Sequence, residues 1–265
     1  ALARTARRHE QLGLDEATLH RGVDVMGEAL RGRRLTRDEC LAELQAAGIS
    51  TDGQRGYHLL AYASMAGVIA VGAGAGRAQT FVRLDEWARR PRRLDREEAR
   101  ATIAERFVRS HGPVRVSDLA GWTGLTMTDA RAGVAGAGNA LSAVTVDGEP
   151  MVVAARALEG EAPTGDTWVA LPGYDEYLLG YKDRTLMLTE EQMHAVVPGR
   201  NGVFQATVVH DGRVVALWKR RRSASSEHVA VTPLVDLGSA QRRHVASAFD
   251  AYERYLGIPV VVDGL

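Results

Sequence analysis

The sequence predicts an α+β chain in which two helix-rich units, each closed by a β-hairpin, precede a small antiparallel β-barrel. As far as about Ala137, apolar residues recur with helical spacing behind Asp, Thr and Ser caps. Two pairs of short β-rich runs, 68–71 with 79–84 and 141–146 with 151–154, interrupt that pattern where hairpins belong. From Trp168 onward, short alternating apolar runs replace it.

Ala1 to Gln11 reads as the basic end of a helix. Asp15 caps a helix through Leu30, since its carboxylate can accept from the free N–H groups of the first turn. Thr36 caps the next, 37–47, with Glu39 completing a capping box, and Gly48 ends it. After the turn 49–53, Tyr57, Leu59, Leu60, Ala61 and 63–65 mark a third helix before Gly67. Val68 to Val71 and Gln79 to Leu84 then read as strands joined by Gly72, Ala73, Gly74, Ala75, Gly76 and Arg77. Three helices followed by a hairpin is the order of a winged helix, expected here as domain 1–92.

Domain 93–155 repeats that order. Asp95 caps a helix over about 96–110, Val116 lies in an extended link, and Ser117 caps 118–123. Gly124 makes a turn, Thr126 or Thr128 caps a helix to about Ala137, and the second hairpin turns at Asp147 and Gly148. The stretch 116–134 therefore reads as helix-turn-helix. A loop, 156–166, with Gly160, Pro163 and Gly165, opens the third domain, 156–265. Its runs 168–171, 203–210, 214–219 and 228–233, with a turn at Asp211 and Gly212, suggest the barrel; an amphipathic helix, 240–256, and a strand, 259–263, follow.

Composition is that of a soluble globular protein, with 265 residues, 45% hydrophobic and 25% charged. The one cysteine, Cys40, excludes an internal disulfide and a cysteine-built zinc site, and fits a reducing cytoplasm. No apolar run has the length of a membrane span, and no signal-like leader is seen. Net charge is zero but unevenly spread. Residues 77–115 carry 11 Lys/Arg against 6 Asp/Glu and 177–222 carry 8 against 4, whereas 116–176 carry 2 against 9. Basic zones of this kind bind phosphates whatever the total charge.

The run from Val68 to Gly76 looks like a strand entering a dinucleotide loop, but position 77 is Arg and a returning strand follows instead of a helix. A wing tip carrying Arg77 fits better. No Gly-x-Ser-x-Gly elbow, Walker loop or His-Glu-x-x-His helix occurs, and none of the eight histidines pairs with another at i, i+4, so neither metal nor cofactor is expected. Gln54, Arg55 and His58 lie on the first unit's recognition-type helix and Gln79 beside the wing, all candidates for DNA contact. The second unit's helix, with Ala132, Gly133, Ala135 and Gly136, is too small-sided to read bases and is expected to pack. Lys219, Arg220, Arg221 and Arg222 precede Ser223–Ser226, a hairpin-tip composition suited to phosphates. In Leu171–Arg184, the acids Asp175, Glu176 and Asp183 are expected to hold Arg184 by charge-assisted hydrogen bonds, with Lys182 and Arg184 as further DNA contacts.

Leu171, Pro172, Gly173, Tyr174, Asp175 and Leu178 with Arg184 resemble the Leu-Leu-Pro-aromatic-Asp signature of winged-helix DNA-binding domain-containing proteins of the AlkZ/YcaQ DNA glycosylase type. Further matching pieces are 8–14, Leu35–Arg37 ahead of Glu39 and Leu41, Gln79–Phe81 with 84–87, 94–99, 197–199 and 201–204, in family order along nearly the whole chain. The resemblance implies tandem winged helices and a β-barrel around duplex DNA. It implies excision of alkylated or crosslinked purines in base-excision repair, through a Gln-x-Gln motif near the family's N-terminus. Gln stands at 11, 45, 54, 79, 192, 205 and 241, never spaced i, i+2, so no catalytic residue is carried over. The expectation is a cytoplasmic, monomeric C-terminal portion of a longer glycosylase, an N-glycosidic hydrolase only with that upstream segment. The alternatives are a winged-helix transcriptional regulator with a ligand-sensing C-terminal domain, and a protein-interaction scaffold.

Overall fold

Helices start where the capping residues stand. In a computed structural model, which describes residues 2–88, 90, 92–160, 165–222 and 226–265, the side chain of Asp15 accepts from the Thr18 N–H at 2.8 Å, and Thr36 and Glu39 close a reciprocal capping box. The chain forms two compact units, 1–93 and 94–265.

The first unit comprises α1 (Leu2–Gln11), α2 (Glu16–Ala29), β1 (Leu35–Thr36), α3 (Arg37–Ala46), α4 (Arg55–Met65), β2 (Ile69–Val71), β3 (Thr80–Arg83) and the single turn α5 (Leu84–Trp87). Met26, Leu30, Cys40, Leu44, Ile49, Leu59 and Ile69 are buried together and join the helices to the hairpin. β1 pairs antiparallel with β3 and makes the sheet three-stranded, in the order β1-β3-β2. Two residues show no alternation, so this strand was not expected. The loop 72–79 returns directly to β3 with no helix after it, and Ala75 bridges Ala78 across its tip. Burial raises the Cys40 thiol to about 11, which leaves it an unreactive core side chain.

The second unit contains α6 (Arg96–His111), α7 (Val116–Thr123), α8 (Met127–Gly136), β4 (Leu141–Val146), β5 (Glu149–Ala154), β6 (Trp168–Leu171), α9 (Glu176–Leu179), α10 (Glu190–Val196), β7 (Ala206–His210), β8 (Arg213–Arg222), β9 (Glu227–Pro233), α11 (Ser239–Ser247), α12 (Asp250–Leu256) and β10 (Val260–Asp263). α8 packs tightly on α6: a Cβ on Gly133 would stand 2.7 Å from the Arg100 carbonyl oxygen. Asp147 and Gly148, both at positive φ, turn the β4-β5 hairpin as expected of an Asp-Gly pair. β10-β9-β8-β7-β6 form one sheet. Trp218, Val229 and Val231 share a core with Val245 of α11, and Phe249, just beyond that helix, meets the Trp218 ring edge-on at 5.3 Å. Val209, Val214 and Leu217 pack instead with Leu178, Met193, Val196 and Phe204.

Several expectations need correction. The five-stranded sheet is open among the described residues, its edges β6 and β10 sharing no ladder, and it is mixed, because β10 runs parallel to β9. The helix expected over 240–256 is two helices, broken at Ala248 and Phe249, where the Phe ring turns into the core. α7 begins at Val116, not Asp118; Asp118 at its third position reaches back to the Arg115 N–H and takes over the role given to Ser117. Thr126, not Thr128, caps α8. Lys219–Arg222 belong to β8 and pair with β9 rather than form a tip; Ser223, Ala224 and Ser225, like Pro163 of the interdomain loop, lie outside the described residues.

Candidate nucleic-acid interface

Leu171–Arg184 leaves β6, passes Tyr174 at φ 61, and forms α9, whose first turn Asp175 caps by accepting from the Tyr177 N–H at 2.8 Å. Glu176 accepts from the Trp122 indole N–H at 2.8 Å, and its carboxylate lies 3.2 Å from His111 Nε2. Asp183 accepts from Arg115 at 2.6 Å and from the Thr185 N–H and hydroxyl; these bonds hold its carboxyl down to about 2. Asp118, buried in α7, accepts from the main-chain N–H groups of Arg115 and Lys182, both at 2.9 Å. The Tyr181 hydroxyl donates to the His111 carbonyl, and burial raises it to about 12. These groups bind the segment to α6 and α7, or cap it.

Arg184 departs from expectation. No carboxylate holds it among the described residues; it donates to the carbonyls of Leu178 and Lys182, and its guanidinium carbon sits 5.2 Å from the centroid of the Phe204 ring. The three acids expected around it are engaged elsewhere. Burial lowers its pKa. Beside it lies a cleft of about 710 Å³ between residues 182–185 and α10, with Leu188, Met193, Val197 and Phe204 as apolar lining and Lys182, Arg184 and Arg200 among its cations. The Lys182 stem lies over Gly121, where a Cβ would come within 2.6 Å of it.

On β8 the four consecutive cations divide by strand alternation. Arg220 turns to the face of Trp218 and lies 3.4 Å from the Tyr252 hydroxyl. Lys219 and Arg221 share the opposite face with Leu217 and are exposed. The Arg222 main chain pairs with Glu227, and its side chain lies outside the described residues.

In the first unit, Gln54 accepts from Arg8 at 2.7 Å and Gln79 from Arg37 at 2.8 Å. Arg55 does not reach outward: its guanidinium donates to the carbonyls of Leu12, Gly13 and Ser50. His58 is half-buried, edge-on to Tyr57 and His9, and burial above all, with Arg8 nearby, lowers its pKa. Arg77 is exposed in the β2-β3 loop and has no ion-pair partner among the described residues. Sequence reasoning gave Asp118 and Phe204 no site role; Phe204 carried a signal in its place after the turn residues Gly199, Asn201 and Gly202, and Asp118 carried none.

A family model described as DNA glycosylase AlkZ-like matches residues 1–255. The chain belongs to the AlkZ-like DNA glycosylase family. It is 27% identical over 235 residues to an interstrand DNA cross-link repair glycosylase of Streptomyces sahachiroi, a match that takes in 82% of this chain and 62% of that protein. The chain thus spans less than two thirds of the length of that curated relative. Its structure is similar to the Streptomyces sahachiroi DNA glycosylase AlkZ with a TM-score of 0.78, over 97% of this chain and 72% of the other; at 23% identity this establishes a shared fold. No helix of the described residues of this AlkZ-like chain is long and apolar enough to cross a membrane, and no group of three or more His, Cys, Asp or Glu among them could hold a metal ion.

Proposed function

We propose that this chain is a duplex-DNA-binding part of a base-excision repair glycosylase acting on alkylated or crosslinked purines, built of winged helices at 1–92 and 93–155 and a sheet domain at 156–265. The observation that carries the reading is family membership over residues 1–255. Its physical support is a set of cations, Arg77, Lys182, Lys219 and Arg221, that make no ion pair with a carboxylate among the described residues and so remain available to phosphates. Gln54, Arg55, His58, Gln79, Arg184, Arg220 and Arg222 are the further candidate contacts; Arg55 and Arg184 act chiefly by shaping the surface, because carbonyls take up their donors. α8 is not a base reader: Asp129 accepts from Arg100 at 2.7 Å and Gly133 is pressed against α6.

An alkylated purine is already a good leaving group, so excision chiefly needs an oriented water and stabilisation of an oxocarbenium-like sugar. No residue of this chain is assigned that step, since no Gln-x-Gln occurs in its sequence. The test is fluorescence anisotropy of the 265-residue chain on duplex DNA across a salt series. Each phosphate contact contributes about 0.9 to the slope of log affinity against log salt, so the double substitution Lys219→Glu, Arg221→Glu should lower the slope by about 2. No binding at any salt sinks the reading in favour of a scaffold. A sequence-specific footprint, with no release of alkylated base by the longest reading frame, favours a regulator.

A further inference from the structure

We propose that the cleft between residues 182–185 and α10 takes an unpaired nucleotide, its base against the apolar side at Phe204 and its phosphates on Lys182 and Arg200. This rests on the DNA-binding reading above and adds the form of DNA that occupies the site.

Four observations lead there. At about 710 Å³ the cleft is within the range of small-ligand pockets, roughly 300–1,000 Å³, and Leu188, Met193 and Val197 give it apolar walls that suit the faces of a base and not a bare phosphate. Phe204 carries the Arg184 guanidinium on one side, 5.2 Å from its centroid, and Tyr174 stands next to it at 6.5 Å, tilted by 50°, so a cation and a second aromatic ring adjoin the ring that lines the cleft. Tyr174 is 54% exposed and held at φ 61, a backbone region that a bulky side chain rarely adopts. The charge is uncompensated: of the two carboxylates in the lining, Asp183 is bound to Arg115, leaving Glu190 against Lys182, Arg184 and Arg200.

A paired base cannot offer both its faces to such a cleft, whereas an unstacked one can. Aromatic platforms beside a cationic groove are how single-stranded nucleic acid is held without sequence preference. Leu217 packs in the same cluster as Phe204, and Lys219 and Arg221 follow it on that sheet face, extending the positive charge beyond the cleft.

The unpaired nucleotide could come from a strand end or from an interruption within the duplex. The test therefore compares three labelled probes sharing one duplex sequence: blunt, with a short single-stranded overhang, and with a single-nucleotide bulge. The overhang or the bulge should bind about 5- to 150-fold tighter than the blunt duplex, the range that base–aromatic stacking commands, and the tighter probe identifies the source. Phe204→Leu, which keeps an apolar side chain and removes the ring, should collapse that ratio. Arg200→Asn, at an exposed residue already in the left-handed region, should lower it without touching the core. Equal affinity for all three probes, or a ratio that survives Phe204→Leu, overturns the proposal while leaving duplex binding standing. Failure to bind any probe overturns both.

Discussion

Replacing Asp118 by Ala should destabilise the unit 94–265 by about 3 kcal/mol. Asp118 is only 4% exposed, yet it accepts two main-chain hydrogen bonds, from Arg115 at the start of α7 and from Lys182 in the signature segment 64 residues on. A hydrogen bond to a charged acceptor contributes about 1.5–3 kcal/mol, so two would sum to between about 3 and 6. The lower end applies, because a cleft lined by Asp118, Gly121 and Lys182 adjoins the site and can supply water to the stranded N–H groups. Asp118→Asn keeps one acceptor oxygen but turns an amide donor toward the second N–H, so it should lose about 2 kcal/mol. In a unit of this size each kcal/mol shifts Tm by about 2–4 °C, which puts the Ala variant about 6–12 °C below the parent. Urea melts followed by tryptophan emission suit the measurement, since Trp122, Trp168 and Trp218 lie in this unit and Trp87 in the other. An Ala variant within about 0.5 kcal/mol of the parent would refute the reasoning, because surface substitutions commonly fall in that band.

Gly133→Ala pits helix propensity against packing: Ala gains about 1 kcal/mol in a helix, but its Cβ would sit 2.7 Å from the Arg100 carbonyl oxygen, so a net loss of about 1–2 kcal/mol is expected and a stabilised variant would contradict the close α6-α8 contact. Arg55→Met removes the donor to three carbonyls and should cost the first unit about 1–3 kcal/mol, read from Trp87 emission; an unchanged melt would return Arg55 to the solvent face. Asp183 has its folded pKa lowered to about 2 from 3.8, so its contribution to stability is complete above about pH 4 and is lost as pH falls toward 2. Asp183→Asn should flatten that part of the acid-unfolding curve, and an unaltered acid limb would show that the bonds from Thr185 and Arg115 do not persist in solution. Thr36→Ala should cost about 1 kcal/mol by opening the α3 capping box, measured by the same urea melts; no change would mean that Glu39 alone suffices.

Local chemistry was readable in the sequence wherever one residue decides the backbone. Asp15, Thr36, Asp95 and Asp147-Gly148 act where they stand, because a cap or an Asp-Gly turn needs only its nearest neighbours. Long-range pairing was not readable. β1 is two residues long and exists only through Phe81 and Thr80 on β3, and the parallel register of β10 on β9 depends on the chain's return after α12. The cations of β8 show the same limit. Four in a row beside serines read as a tip, and only the ladder to β9 reveals that alternate members face opposite ways. The acids of the signature were placed in the right neighbourhood and given the wrong partner. Spacing showed that Asp183 adjoins Arg184, but nothing local announces Arg115, 68 residues away.

That last error bears on what the signature does. A motif with three acids, three tyrosines and two cations invites a catalytic reading, but each acid is already bound: Asp175 to the Tyr177 N–H, Glu176 to Trp122 and His111, and Asp183 to Arg115 and Thr185. Tyr181, raised to about 12 by burial, is bound to a carbonyl. Asp183, held down to about 2, is a weak base and Tyr181, raised to about 12, a weak acid, so these two groups are badly placed for proton transfer near neutral pH. The same bonds have a second consequence. With Glu176 and Asp183 bound to α6 and the start of α7, Lys182 has no carboxylate partner among the described residues and Arg184 lies against the Phe204 ring, so that positive charge and an aromatic face stand together beside the cleft. A polyanion is attracted to such a surface, and the acid nearest the two cations, Asp183, has its charge offset by Arg115.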